Sequence, residues 1–92
     1  MKYYVYLDSD DNAVVRIAEY IDTQDPGFWG RNSHLISTVW TVDASNMESI
    51  LSLLHILERR KTPVTIVREI CLGIGFDLDA YVASLKSQKK KV

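Results

Sequence analysis

Lys2-Tyr3-Tyr4-Val5-Tyr6-Leu7, Asp8-Ser9-Asp10-Asp11-Asn12 and Ala13-Val14-Val15-Arg16-Ile17-Ala18-Glu19-Tyr20-Ile21 open the chain, and how they are read decides the fold. Tyr3, Val5 and Leu7 alternate with Tyr4 and Tyr6, the period of an extended strand. The acidic run that follows is turn chemistry, because short polar side chains cap backbone groups and tolerate left-handed dihedrals. From Ala13 to Ile21 a period of two resumes, with Val15, Ile17 and Ile21 on one side and Arg16 and Tyr20 on the other. The expectation is a β-hairpin with an aliphatic face (Val5, Leu7, Val15, Ile17) and a tyrosine face (Tyr4, Tyr6, Arg16, Tyr20).

Asp22–His34 holds Pro26, Gly27 and Gly30 and reads as a long loop. Leu35–Val42 is β-branched and aromatic, a third strand, and three strands with one face covered can form a stable sheet. The cover follows. Ser45-Asn46-Met47-Glu48 has capping-box spacing, and Met47, Ile50, Leu51, Leu54 and Leu57 recur at helical spacing. Leu53 and Ile56 widen that stripe, and Arg59, Arg60 and Lys61 sit where the negative helix end favours cations. Thr62 is the expected cap and Pro63 the expected first residue of a second helix, with Ile66, Val67, Ile70, Cys71 and Ile74 inward. Val64-Thr65-Ile66-Val67 fits a strand as well, but the longer stripe to Ile74 favours a helix. Gly73 and Gly75 are expected to end it, and Asp77 to cap a last helix with Leu78, Tyr81, Val82 and Leu85 inward. The fold class expected is α+β: a small three-stranded antiparallel sheet, made of the N-terminal hairpin plus one strand, packed by a central helix and two shorter C-terminal helices. Residues 1–86 are read as one domain and 87–92 as a mobile lysine-rich tail.

The 92 residues carry a net charge of −1, with 47% hydrophobic and 25% charged residues, too apolar for a disordered chain. The first 46 residues carry three Lys/Arg against seven Asp/Glu, a net −4, and the last 46 carry eight against five, a net +3. An acidic half beside a basic half presents two faces of opposite sign, without the overall basicity of a dedicated nucleic-acid binder. A single cysteine, Cys71, excludes an internal disulfide and a cysteine-built zinc site within the chain. No apolar run reaches the roughly 18 residues of a membrane span, and Met1-Lys2 leads straight into strand rather than signal-peptide patterning, so a cytoplasmic setting is expected.

Two stretches resemble known motifs. Asp8, Asp10, Asn12, Val15 and Glu19 resemble the EF-hand calcium loop, which would imply oxygen ligands around a hard cation. Ala13 stands where that loop has glycine, and the flanks read as strands, so a plain acidic hairpin turn is expected, with no metal and no cofactor. Residues 63–88 resemble the helix-turn-helix of bacterial repressors through Val67, Ile70, Cys71, Ile74, Gly75, Phe76, Tyr81 and Val82. That resemblance implies DNA contact. Asp77 and Asp79 would repel phosphate at the base-reading end, leaving Lys86, Lys89, Lys90 and Lys91 to hold the backbone.

Chemistry-bearing side chains are sparse. His34, His55 and Cys71 show no spacing that brings a base to a nucleophile, and no phosphate-cradling loop or metal helix is present, so no catalytic residue is assigned. The expected function is therefore a non-catalytic protein-binding module, an adaptor, inhibitor or regulator, with a protein partner or a second copy of itself. The expected partner-binding residues are Tyr4, Tyr6, Arg16, Tyr20, Phe28, Trp29 and Arg31. The Phe28-Trp29 pair is read either as a plug on the core edge or as a protruding anchor. A small DNA-binding regulator is the alternative.

Overall fold

The computed structural model describes residues 1–34, 36 and 38–89, and the side chains of these up to Ser87. The fold is α+β. Strand β1 (Lys2–Leu7) is central, flanked antiparallel by β2 (Ala13–Ile17) and β3 (Val39–Asp43), in the order β2-β1-β3. Register pairs Val5 with Val15 and with Trp40, and Tyr3 with Ile17 and with Val42, so these side chains share one face. The hairpin turn closes by Asp11 N–H to the Asp8 carbonyl and Asp8 N–H to the Asn12 carbonyl. Asp11 takes φ 61°, the left-handed position of a short hairpin loop.

Two helices, α3 (Met47–Arg59) and α4 (Val64–Ile74), cover the aliphatic face, and α5 (Leu78–Lys89) follows them. Val5, Val42, Ile50, Leu53, Leu57, Ile70 and Ile74 form the buried core between them and the sheet. A Cβ on Gly73 would stand 2.7 Å from Val15 Cγ2, so glycine here lets α4 close onto β2. Gly73 is therefore inside α4 rather than at its end; Gly75, at φ 75°, terminates it.

The helix starts differ from expectation by one residue. Ser45 donates its hydroxyl and backbone N–H to Asp43 Oδ1, which holds that carboxyl below its usual range, and Asn46 caps α3 by accepting from Glu48 N–H. Thr62 N–H closes the end of α3 on the Leu57 carbonyl, so α4 begins after Pro63, whose carbonyl accepts from Ile66 and Val67. The third strand begins at Val39, not Leu35; Leu35 and Ser37 lie outside the described residues. Helix α5 continues to Lys89, so the first part of the expected lysine-rich tail is helical, and residues 90–92 lie outside the described residues.

The largest correction concerns residues 18–32. The second hairpin strand stops at Ile17, and α1 (Ala18–Gln24) follows it directly, with α2 (Phe28–Asn32) standing in the expected loop. Ala18 and Ile21, three residues apart, are the buried pair of α1. These short helices lie on the tyrosine face, so the sheet is covered on both sides. Among the described residues, no helix is long and apolar enough to cross a membrane.

Candidate functional site

The tyrosine face is folded against the Phe28-Trp29 pair. Trp29 meets Tyr4 edge-on at 5.1 Å between ring centroids and Tyr6 at 5.7 Å, while Phe28 lies 6.0 Å from Tyr6 and 4.8 Å from Trp29. Edge-to-face geometry matches the positive ring edge to the negative ring face, which favours this arrangement over a stack. Tyr6 is buried, and Tyr4, Phe28 and Trp29 are half-buried. The pair is thus a plug. Tyr4 and Tyr6, expected on an open face, are lined up behind it.

Polar bonds fix the plug. Tyr4 donates its hydroxyl to Asp22 Oδ1 at 2.8 Å, and this hydrogen bond to a carboxylate raises the phenol above its ordinary pKa. Arg31 reaches back to both Asp25 oxygens at 2.6 and 2.7 Å, tying α2 to the end of α1. Asn32 Nδ2 donates to the Phe28 carbonyl at 2.7 Å. Arg31, expected at a partner surface, has its guanidinium committed to Asp25.

Three residues stay open beside the plug. Tyr20 is 60% exposed, Ile17 is 43% exposed, and Arg16 is exposed on the edge strand β2. With Val15, Ile21, Asp25 and Phe28 they line a cleft of about 360 Å³. Local chemistry explains the exposure: α1 leaves β2 without a linker, so Tyr20 turns outward while Ala18 and Ile21 turn in. Ile17, which its strand period assigns to the packed aliphatic face, is the site residue that sequence reasoning missed. Its place as the last residue of a strand running directly into a helix is the signal that could have found it.

The acidic turn is closed by Asp8. Asp8 Oδ1 accepts from the backbone of both Asp10 and Asn12 at 2.9 Å, and Glu19 stands on α1. Among the described residues no three His, Cys, Asp or Glu side chains converge as a metal would require. His34 lines a polar cleft of about 410 Å³ with Asp8, Asp11, Ser33 and Arg60, and Arg60 is stacked 5.3 Å from the Trp40 ring. His55 is exposed on α3. Cys71 is 2% exposed in the core, where burial pushes the thiol pKa up.

Helices α4 and α5 follow one another, joined by Gly75, Phe76 and Asp77. Asp77 Oδ1 caps α5 by accepting from Ala80 N–H, and Arg68 of α4 pairs with Asp79 at 2.9 Å. The nearest cation is therefore spent on the acidic end of α5. Lys86 is exposed, Lys89 closes α5, and Lys90 and Lys91 lie outside the described residues. Comparison with protein-family models, curated proteins and solved structures finds no match for this chain.

Proposed function

We propose that the chain is a non-catalytic protein-binding module, an adaptor, inhibitor or regulator, whose partner docks on Arg16, Ile17 and Tyr20. The observation that carries this reading is the exposure of Tyr20 beside an open apolar-floored cleft, on a backing held rigid by the four-ring plug. Tyrosine and arginine are enriched at interface hot spots because they bring large contact area with a polar tip. Asp25 lines the cleft and Glu19 precedes Tyr20 on α1, so a partner with a basic rim around an apolar projection fits the patch, and the acidic half of the chain steers such a partner inward.

A photo-crosslinking amino acid at the Tyr20 position, used in cells, will covalently mark the partner, which mass spectrometry then identifies. Titration with that purified partner should show Tyr20→Ala weakening binding at least about 30-fold, roughly 2 kcal/mol, with unchanged thermal midpoint. Equal affinity for wild type and Tyr20→Ala overturns the reading.

The alternative, a small DNA-binding regulator, draws on the shape of α4 and α5. Phosphate contact makes binding strongly salt-dependent. Anisotropy titrations on duplex DNA at about 50 and 200 mM salt would support it only by binding that collapses at the higher salt.

A further inference from the structure

Helix α5 leaves the body of the protein. Leu78 and Tyr81 are half-buried in its first turn, with Phe76 and Tyr81 rings 5.8 Å apart, whereas Val82 and Leu85 are 38% and 40% exposed. Beside that first turn runs an open, mostly apolar groove of about 360 Å³, lined by Leu54, Val64, Val67, Leu78, Tyr81 and Val82 together with Glu58, Thr62, Arg68 and Asp79. The groove reaches from α3 across α4 to α5, and Leu85, about two turns beyond Leu78 on the same helical face, projects past it. The chain thus has an apolar side chain without a pocket and a pocket without a side chain.

Charge along α5 says which occupant fits. Asp79 and Lys86 are also two turns apart and share one flank of the helix, alongside the Leu78-Val82-Leu85 seam. When two copies of a helix pair antiparallel about a twofold axis, each flank meets the same flank of its partner. Asp79 of each copy then faces Lys86 of the other, twice over. The same register sets Leu85 level with Ala80 of the second copy, between Leu78 and Val82, which is where the groove lies. A parallel pair would instead put the Asp79–Lys86 flank against the flank bearing Tyr81, which offers neither charge a counter-ion. Asp79 itself is 71% exposed at the groove rim, with its Arg68 pairing leaving lone pairs free.

We infer that the protein forms a twofold dimer through antiparallel α5 helices, with Leu85 of each copy seated in the α3–α4–α5 groove of the other. The groove and the cleft beside Tyr20 share no lining residue, so dimerisation leaves the proposed docking patch open.

Sedimentation equilibrium from about 1 to 100 µM, a range that brackets micromolar self-association, tests this. The wild type should approach twice the chain mass of 10.5 kDa as concentration rises. Leu85→Glu should stay monomeric with an unchanged circular dichroism spectrum, since the replaced side chain lies outside the core. Asp79→Lys and Lys86→Glu should each weaken the homodimer at least about 10-fold, as like charges replace both facing pairs. Mixed together they should recover a heterodimer. One of its two contacts keeps the native Asp79–Lys86 pair, and the other joins the two replacement side chains, a lysine and a glutamate with their places exchanged. Monomeric wild type throughout the range, a dimer indifferent to Leu85→Glu, or two weakened variants that fail to recombine would each overturn the inference.

Discussion

Two residues with positive φ, Lys61 at 57° and Gly75 at 75°, stop the helices that frame the groove. Both make the same paired bonds. Lys61 N–H reaches the Glu58 carbonyl and Thr62 N–H the Leu57 carbonyl; Gly75 N–H reaches Leu72 and Phe76 N–H reaches Cys71. These are Schellman closures, whose left-handed residue is ordinarily glycine because a Cβ crowds the following carbonyl oxygen. Opposite signs follow for opposite substitutions. Gly75→Ala should cost about 1–2 kcal/mol. Lys61→Gly should be neutral or stabilise by up to about 1 kcal/mol, since relief of strain outweighs the extra freedom of an unfolded glycine. Urea denaturation of both variants measures this. A Lys61→Gly variant less stable by more than about 1 kcal/mol would mean that Lys61 contributes an interaction larger than its strain.

At the scale of elements, α2 exists because of what it touches. Phe28-Trp29-Gly30-Arg31-Asn32 is too short to be helical alone and has a glycine at its centre. Its stability comes from the Trp29 and Phe28 contacts with Tyr4 and Tyr6, and from Arg31 on Asp25. Trp29→Ala should therefore cost about 2–3 kcal/mol, below the value for a fully buried tryptophan, and lower the melting temperature by about 10 °C or more. Melting by near-ultraviolet circular dichroism would show it; an unchanged midpoint would make the tryptophan an anchor and not a plug. The same dependence on tertiary contact explains what the sequence conceals. The hairpin, α3, α4 and α5 are legible in local periodicity and turn chemistry. Residues 18–32 are not, because Val15, Ile17 and Ile21 satisfy a strand while Ala18 and Ile21 satisfy a helix, and nothing local decides between them. Once α1 and α2 are in place, Tyr4 and Tyr6 move from surface to interior, which leaves only Arg16 and Tyr20 of the expected partner residues uncommitted. The charge pattern on α5, by contrast, is written in the sequence, but its meaning depends on knowing where the apolar groove lies.

The whole molecule is elongated, 51 × 25 × 16 Å, with a radius of gyration of 14.6 Å where a compact chain of this length would have about 12 Å. The excess length comes from α5, whose outer turns are exposed, while the buried side chains concentrate at β1, β3, α3 and α4. A helix end without an apolar backing opens at a cost near zero. Amides of the central strand open only when the domain unfolds, at about 5 kcal/mol or more. In dilute protein, where association is absent, amides of the last two turns of α5 should exchange at least about 1000-fold faster than those of β1, a ratio that follows from this difference in opening energy. Hydrogen exchange read by mass spectrometry on peptides from residues 2–7 and 80–87 measures the ratio. Equal protection in the two segments would mean that α5 unfolds only with the core, and would require a packing partner within the single chain that its exposed Val82 and Leu85 do not have.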